Sequence, residues 1–578
     1  MRNLNLRRSW RMLRNVSGIF LLLPLALLVS ACENPEAQAP SSTSFEEALQ
    51  SLDSLELIGH VQTLASDVYM GRAPSTPGER QTLDYLEEQF LALGYRPGGE
   101  PGVVEGMEGR LWTQEVPLVS ITADPAMGLT IAGNGASREF AYGDDFVANS
   151  PKAVQSAELD ASEMVFVGYG IVAPEYDWND YEGVDVEGKT VVALVNDPGF
   201  ATKDTALFQG NAMTYYGRWT YKYEEAGRQG AAGILLVHQT EPAAYGWATV
   251  RNSWTGTQYS LVEMGDEGVT VDVEGWISLP TTEAIFAQAG MDFQDMQEAA
   301  LQRDFQAVPM GLQASVAFDN TVEESISHNF FARLDGTLRA REIILFMGHW
   351  DHFGMDPSLE GDSIFNGARD NASGIGAMLE LAEAFGRLDP APQRSIVFMA
   401  TTAEEQGLLG SEFYARNPIY PLEETVAAIN IDALPIWGAT NDYVVVGHGK
   451  SELDAYAERA AEAQGRVVEP NPEPEKGSFY RSDHFPLARV GIPAHYGNAG
   501  FDIIGEGEEY GRRVSDEWNA QHYHQPSDEY SEDWAMGGAL QDMELWFRMG
   551  VDLGYSNEFP NWHEGTEFKA ARDAMFQQ

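Results

Sequence analysis

The spacing of apolar residues changes along the chain, and each change marks a predicted structural region. Between about residues 54 and 94, apolar side chains recur every three or four positions in two stripes, which predicts two amphipathic helices. From about residue 113 to 322, short β-like runs such as 190–195 and 233–237 alternate with Gly, Pro and Asn. This second pattern predicts a β-rich module that is inserted into the chain.

From about residue 326, buried apolar runs alternate with amphipathic helical segments. The runs 343–347, 396–400 and 426–431 are typical of strands, and segment 375–388 is typical of a helix. Strands that are apolar throughout must be covered on both faces, which is the arrangement of parallel sheets in α/β proteins. We therefore predict a mixed, mostly parallel sheet sandwiched by helices, with the β-rich module as an insert.

The N-terminus has the three parts of an export signal. Five arginines in residues 2–14 precede an apolar run at 19–29, which is shorter than the ~20 residues of a membrane span. The Val-Ser-Ala-Cys sequence that follows resembles the lipobox of bacterial lipoproteins, and its Cys32 is the only cysteine of the chain. We predict an exported bacterial lipoprotein of the cell envelope, at the outer membrane or facing the periplasm, that contacts the lipid membrane through Cys32.

Composition narrows the possible partners. The chain has 36 Lys and Arg against 88 Asp and Glu, a formal net charge of −52, and no basic patch offsets it. A surface this acidic repels the phosphate backbone, so we predict no nucleic-acid binding. With no cysteine after Cys32, the mature chain has neither disulfides nor thiolate metal sites. The sequence is silent on oligomeric state.

Polar residues lie within five positions of the ends of three predicted strands. His349 follows the first, Glu404 and Glu405 follow the second, and Asp432 follows the third. Because sites in open α/β sheets form beyond the carboxyl ends of the strands, we expect these side chains to meet. Imidazole and carboxylate groups without thiolates suit zinc, and the number of carboxylates favours two ions with one bridging carboxylate.

Five short motifs follow one another along the second half of the chain. They are His349-Trp350-Asp351, Asp370-Asn371, Glu404-Glu405, Asn430-Ile431-Asp432 and the Tyr-His-x-Pro-x-Asp sequence from Tyr523 to Asp528. In this order, the five motifs together resemble those of the M28 family of zinc aminopeptidases. Segments 166–171 and 188–191 resemble the protease-associated (PA) insert of some members. Arg369 departs from the acid that many members carry at that position, which leaves the presumed ligands intact.

The resemblance implies a ligand set for two Zn²⁺ ions, with Co²⁺ or Mn²⁺ as alternatives. His349, Asp370 and Asp432 would bind one ion. Asp370, Glu405 and His524 would bind the other, so that Asp370 bridges the pair. His352 is interpreted as a loop residue, and His524 is preferred to the nearby His522 on the motif alone.

The resemblance also implies the remaining roles. Glu404 would be the general base, and Asp351 would orient the ring of His349. Tyr523 would donate a hydrogen bond to the oxyanion. The segment Ser482-Asp483-His484 is interpreted as a turn that supports the pocket, because adjacent residues rarely form a catalytic triad. The implied activity is removal of N-terminal residues from peptides with a free N-terminus.

Three alternatives remain open at this level: a carboxypeptidase, a glutaminyl cyclase, which needs one zinc, and a receptor-like binding protein that has lost catalysis.

The predicted organisation is a signal peptide at 1–31, a flexible tether at 32–44, the first part of the peptidase domain at 45–122, the PA-like insert at 123–322, the catalytic domain at 323–556 and a tail at 557–578.

Overall fold

The computed structural model describes residues 39–104, 107–262, 270–357, 359 and 361–577. The predicted signal peptide and Cys32 therefore lie outside the described residues. The predicted tether overlaps the first helix, which begins at Ser42 because the side chain of Ser41 accepts a hydrogen bond from the Ser44 N–H, at 3.2 Å. None of the helices in the described ranges is long and apolar enough to cross a membrane.

The helices range from 4 to 19 residues in length. They are α1 Ser42–Leu49, α2 Ser54–Leu64, α3 Pro77–Ala92, α4 Pro198–Thr202, α5 Trp219–Arg228, α6 Thr240–Ala243, α7 Trp247–Trp254, α8 Leu279–Ala289, α9 Phe293–Ala300, α10 Gly374–Gly386, α11 Leu409–Arg416, α12 Asp454–Ala463, α13 His484–Arg489, α14 Glu508–Gln521, α15 Gly537–Tyr555 and α16 Lys569–Met575.

The strands vary more in length than the helices do. They are β1 Arg96–Pro97, β2 Pro101–Val104, β3 Met107–Arg110, β4 Thr113–Ala123, β5 Gly128–Gly133, β6 Ala136–Ala141, β7 Phe146–Asn149, β8 Ser156–Phe166, β9 Val172–Ala173, β10 Trp178–Asn179, β11 Thr190–Leu194, β12 Gly233–Val237, β13 Thr257–Leu261, β14 Val273–Ile277, β15 Val308–Leu334, β16 Arg339–His349, β17 Gly354–Met355, β18 Ile364–Phe365, β19 Arg394–Thr401, β20 Thr425–Asn430, β21 Asp442–Val445, β22 Val467–Pro470 and β23 Ala494–Ala499.

The main sheet has the predicted mixed architecture. Its order is β13–β4–β15–β19–β16–β20–β23–β21–β22, with β19, β16, β20 and β23 parallel at the centre and antiparallel strands beside them. Ile344 and Phe346 of β16 pack with α10 and α15 in one core, and Leu345 and Met347 pack with α11 and α13 in another. Burial on both faces explains the unbroken apolar run, and the predicted fold class is confirmed.

A second sheet lies in the predicted insert, in the order β7–β14–β12–β11–β8–β15–β5–β6. Its central strands β14, β12, β11 and β8 are parallel, and helices α5, α7, α8 and α9 pack against them. The insert is thus an α/β module rather than a purely β-rich one. Its runs at 190–195 and 233–237 are apolar throughout because helices cover both faces.

The two sheets share one strand, which crosses the predicted boundary at residue 322. The N-terminal half of β15 pairs with β8 and β5 of the second sheet, and its C-terminal half pairs with β4 and β19 of the main sheet. In addition, β13 falls within the predicted insert but pairs with β4 of the main sheet. This connection was not predictable from the sequence. The alternating burial pattern of one long strand does not mark the residue at which its partner strands change.

Glu380 is a buried acid that joins α10 to α2. It is 1% exposed, and its Oε2 accepts a hydrogen bond from the backbone N–H of Asp53, at 2.9 Å. Burial raises the pKa of Glu380 to about 8, and the nearby acids Glu56 and Glu383 act in the same direction. The folded protein therefore favours the protonated carboxyl, and this stability is lost as the pH rises from the unfolded value of 4.5 through about 8.

We expect Glu380→Gln to become progressively more stable than wild type between pH 5 and pH 9, by about 2–4 kcal/mol at the upper end. The amide oxygen still accepts the Asp53 N–H but carries no charge. Thermal unfolding at both pH values measures the difference, with Glu87→Gln on the exposed face of α3 as the control for loss of an acid. A difference that does not change with pH would contradict this account.

Candidate metal centre

The candidate centre lies beyond the carboxyl ends of three adjacent strands. His349 ends β16, which lies between the parallel strands β19 and β20. Glu404 and Glu405 follow β19, and Asp432 follows β20. The parallel arrangement therefore brings all three loops to the same edge of the sheet, as the sequence predicted.

The first group of side chains surrounds His349. Its Nε2 lies 3.2 Å from Oδ1 of Asp370, 3.5 Å from Oδ1 of Asp432 and 4.0 Å from Oε2 of Glu404. Asp370 comes from the irregular turn before α10. His349, Glu404 and Asp432 offer ligand atoms that lie within 4.8 Å of one another, so one cation between them is within reach of all three.

The second group surrounds His524, which follows α14. The Nε2 of His524 lies 3.2 Å from Oε2 of Glu405 and 3.4 Å from Oδ2 of Asp370. Asp370 thus turns one oxygen towards His349 and the other towards His524. A ligand that bridges two cations must direct one oxygen to each of them, and Asp370 has this orientation.

The centre concentrates negative charge in a buried place. Burial alone would lower the pKa of His349, but the surrounding carboxylates, Glu404 foremost, raise it well above its usual value. Burial raises the pKa of Glu405 to about 8 and that of Glu404 well above its usual value. Burial and mutual repulsion thus disfavour the ionised form of these carboxyl groups. Cations bound between them would stabilise the ionised form.

The donor set fits divalent cations and zinc in particular. Potential ligand atoms converge in two groups that share His349, one with Asp370 and Glu405 and one with Glu404 and Asp432. Asp370 also faces the second imidazole, that of His524, and no thiolate takes part. Imidazole and carboxylate are zinc ligands, and the number of carboxylates exceeds what one ion needs.

Asp351 does not orient His349 in the way that the sequence predicted. Its carboxylate Oδ1 lies 4.0 Å from Nδ1 of His349, whereas its backbone carbonyl lies 3.1 Å from that atom. The Oδ1 atom instead accepts a hydrogen bond from the backbone N–H of Glu404, at 3.1 Å. Asp351 therefore positions Glu404 with its side chain and His349 with its main chain.

His352 was interpreted as a loop residue, but it contacts a predicted ligand. Its ring is fully buried, and Nδ1 lies 2.5 Å from Oε1 of Glu405, the oxygen that faces away from His524. Burial lowers the pKa of His352 to about 4, so the neutral ring donates to the carboxylate. The signal in the sequence was its position, three residues after His349 at the end of a buried strand.

We expect His352→Phe to weaken zinc binding by about 10- to 100-fold, because an apolar ring no longer holds Glu405 in place. Titration of the metal-free protein against a chelator of known affinity measures the change. His563→Phe, at an exposed histidine outside the centre, is the matched control. Equal affinities for the two variants would show that His352 has no part in positioning Glu405.

Two further residues support the turn that carries Asp370. Asp528 accepts hydrogen bonds from the backbone N–H groups of Arg369 and Asp370, at 2.9 and 3.1 Å. The Arg369 guanidinium lies between the rings of Trp437 and Trp518, 4.9 and 4.5 Å from their centroids. Because Trp518 belongs to α14, which precedes His524, Arg369 links the two ligand segments.

The segment from Ser482 to His484 does not form a triad. The Ser482 Oγ donates a hydrogen bond to Oδ2 of Asp432, at 2.8 Å, and accepts one from Asn430. Asp483 accepts a hydrogen bond from the Thr401 hydroxyl. Ser482 and Asp483 thus have separate partners, and the ring of His484 packs against Phe479 and Tyr496. Ser482 positions a predicted ligand.

Tyr523 lies at the exposed edge of the centre. Its ring stacks on that of His524 with centroids 3.7 Å apart, and the residue is 48% exposed. A second tyrosine that the sequence did not single out, Tyr496 in the first half of β23, pairs in register with Asn430 of β20. Burial and the nearby carboxylates raise its pKa well above the usual value.

Comparison with known proteins gives a family match over the main domain. Residues 329–547 match the model of Peptidase family M28. The chain is 31% identical over 137 residues to Aminopeptidase NAALADL1 of Mus musculus, a match that covers 23% of this chain and 17% of that protein. It is 37% identical over 102 residues to a probable zinc metalloprotease of Pyrenophora tritici-repentis, covering 18% and 23%.

Among solved structures, an aminopeptidase from Aneurinibacillus sp. strain AM-1 is similar at 20% identity and a TM-score of 0.49, over 88% of this chain and 96% of that one. The zinc aminopeptidase BSAP from Bacillus subtilis is similar at 18% identity and a TM-score of 0.42, over 88% and 97%. The chain spans less than a quarter of the length of the two curated relatives. The family model and the two curated relatives thus make part of this chain similar to peptidases.

Proposed function

We propose that the chain is an aminopeptidase that uses two zinc ions to remove N-terminal residues from peptides. The observation that carries the proposal is the position of Asp370, whose two oxygens face His349 and His524 separately. His349, Asp370 and Asp432 would hold one ion, and Asp370, Glu405 and His524 would hold the other. Bound there, the ions would act as Lewis acids on the substrate carbonyl and make water nucleophilic at neutral pH.

Glu404 is the proposed proton carrier. The Asp351 carboxylate fixes its backbone N–H, and its own carboxylate lies 4.0 Å from Nε2 of His349. Burial raises the pKa of Glu404, which suits a group that must accept a proton and then release it. Glu404 would take the proton from the attacking water and pass it to the leaving amine, and Tyr523 would donate a hydrogen bond to the oxyanion.

An aminopeptidase must also recognise a free amine. The carboxylates of Glu404 and Asp432 are the more accessible acids of the centre, with side chains 11% and 14% exposed. An ammonium group that enters from the open edge would meet these carboxylates first. A blocked, uncharged N-terminus would leave them without a cationic partner.

We expect the zinc-loaded protein to hydrolyse leucine p-nitroanilide at least about 10³-fold faster, in kcat/KM, than N-acetyl-leucine p-nitroanilide. A chelator should abolish the activity, and added zinc should restore it. Equal rates on the two substrates would contradict the aminopeptidase proposal. Hydrolysis that continues in excess chelator would contradict the requirement for a metal.

A further inference from the structure

Two arginines lie where the inserted module packs against the main domain. On the module, segment 211–218 contacts the main domain, for example through the Met213 N–H, which donates to the Pro474 carbonyl at 3.1 Å. Arg218 ends this segment and caps α5. Arg481 follows the short turn Ser478–Tyr480 of the main domain. We call the pair Arg218 and Arg481 the junction arginines.

The junction arginines have no acidic partner. Arg218 is 8% exposed, and its Nε is buried without a hydrogen bond. Nε and Nη2 of Arg481 are also buried and unpartnered. Neither guanidinium forms an ion pair or a hydrogen bond with any residue in the described part of the chain. Their contacts are with aromatic rings, Arg481 over Tyr245 at 5.6 Å and Arg218 over Trp219 at 5.8 Å.

Other arginines of this region are neutralised in the usual way. Nη1 of Arg489, on α13, lies 3.9 Å from Glu224 and 3.7 Å from Glu412. The whole chain has 88 acids for 36 basic residues, so a carboxylate is easily supplied. A shortage of acids therefore does not explain why neither junction arginine has a carboxylate partner among the described residues.

The pair is unfavourable as it stands. Burial lowers the pKa of Arg218 to about 10, and the positive charge of Arg481 acts in the same direction. Unpartnered buried donors and like charges both cost free energy, and a bound anion would offset both. Guanidinium groups bind carboxylates through paired, charge-assisted hydrogen bonds, which makes a carboxylate a suitable anion.

Arg481 is adjacent in sequence to a residue that supports the metal centre. It directly precedes Ser482, whose hydroxyl donates to the Asp432 carboxylate at 2.8 Å. A ligand held by Arg481 would therefore lie beside the segment that supports a predicted zinc ligand. A short peptide has an ammonium group at one end and a carboxylate at the other, with few residues between them.

We propose that Arg218 and Arg481 bind a carboxylate of the peptide substrate, so that the enzyme grips short peptides at both ends. This inference rests on the proposed function. The carboxylate is either the free C-terminus or an acidic side chain close to the cleaved bond. The module then takes part in substrate selection, because it supplies one of the two arginines.

The test begins with the wild-type protein, which needs no substitution. We expect a kcat/KM at least about 10-fold higher for leucyl-alanine than for leucyl-alanine amide, or for leucyl-aspartyl amide than for leucyl-asparaginyl amide. The first preference assigns the site to a C-terminal carboxylate and the second to an acidic side chain, and either supports the inference. No preference in either pair overturns it.

Substitution then assigns the preference to the two residues. We expect Arg218→Met and Arg481→Met each to lower kcat/KM on the preferred acidic peptide by about 10- to 100-fold, mainly through KM, while leucine p-nitroanilide changes less than threefold. Arg80→Met, at an exposed arginine of α3, is the matched control. Thermal unfolding of each variant checks that the fold is intact.

The outcomes separate this inference from the proposed function. If leucine p-nitroanilide and the peptides are cleaved but both arginine variants keep the wild-type preference, the inference fails and the aminopeptidase proposal stands. If the zinc-loaded protein cleaves none of these free-amine substrates, the proposed function fails. Equal losses on the anilide and on the acidic peptide would show a structural role for the arginines and overturn the inference.

Discussion

Replacing Glu404 with glutamine is expected to lower kcat on leucine p-nitroanilide by about 10²- to 10⁴-fold. Glutamine keeps the size of the side chain and leaves untouched the backbone N–H that Asp351 binds. It removes the group that would accept the proton of the attacking water. Because the expected loss lies in proton transfer, KM should change far less than kcat.

The metal content of Glu404→Gln separates the two possible roles of this residue. Glu404 shares a cluster of potential ligand atoms with His349 and Asp432. A base that is not a ligand leaves two zinc ions per chain when it is replaced. A variant that loses both activity and one zinc would show that Glu404 is a ligand, and a variant with activity within threefold of wild type would show that it is not the base.

Replacing Asp370 with asparagine is expected to have the other large effect, on metal binding itself. The Asp370 carboxylate offers one oxygen to each histidine group, whereas an amide offers one oxygen and a nitrogen that cannot bind a cation. We expect bound zinc to fall from two ions to one or fewer per chain, with at least about 10³-fold loss of kcat.

Elemental analysis of the purified variant measures this change directly, with Asp516→Asn on the exposed side of α14 as the control. The turn around residue 370 should persist, since Asp528 binds its backbone N–H groups rather than its side chain. Full zinc content in Asp370→Asn would contradict a bridging role. Unchanged activity would contradict the assignment of the centre.

The convergence of the candidate ligands was predictable because a parallel sheet fixes it. His349, Glu404 and Asp432 each follow a run of residues that are apolar throughout, and such runs indicate strands buried on both faces. The position of His524 was a different matter. It follows α14, outside the strand pattern, and only the motif around it associated it with the centre.

The supporting contacts were not predictable, because they depend on side-chain directions that periodicity does not contain. His352 contacts Glu405 at 2.5 Å, and Asp351 turns its carboxylate to the Glu404 N–H rather than to His349. The shared strand β15 was equally hidden, since a strand of 27 residues gives no sign of where one set of partners ends.

The junction arginines are another feature that sequence patterns could not predict, because the two residues are far apart in the chain. Arg218 and Arg481 are separated by more than 250 positions, and each is unremarkable within its own segment. What distinguishes them is that neither guanidinium has a carboxylate partner among the described residues, which only the packing of the module on the main domain reveals. A long-range property of this kind has no local signature.

The central claim is that two cations share Asp370 between the groups of His349 and His524. Crystals of the zinc-loaded protein, measured at wavelengths on either side of the zinc absorption edge, test it most directly. The account predicts two anomalous peaks about 3.5–4 Å apart, with Asp370 in contact with both. A single peak, or peaks away from these side chains, would contradict it.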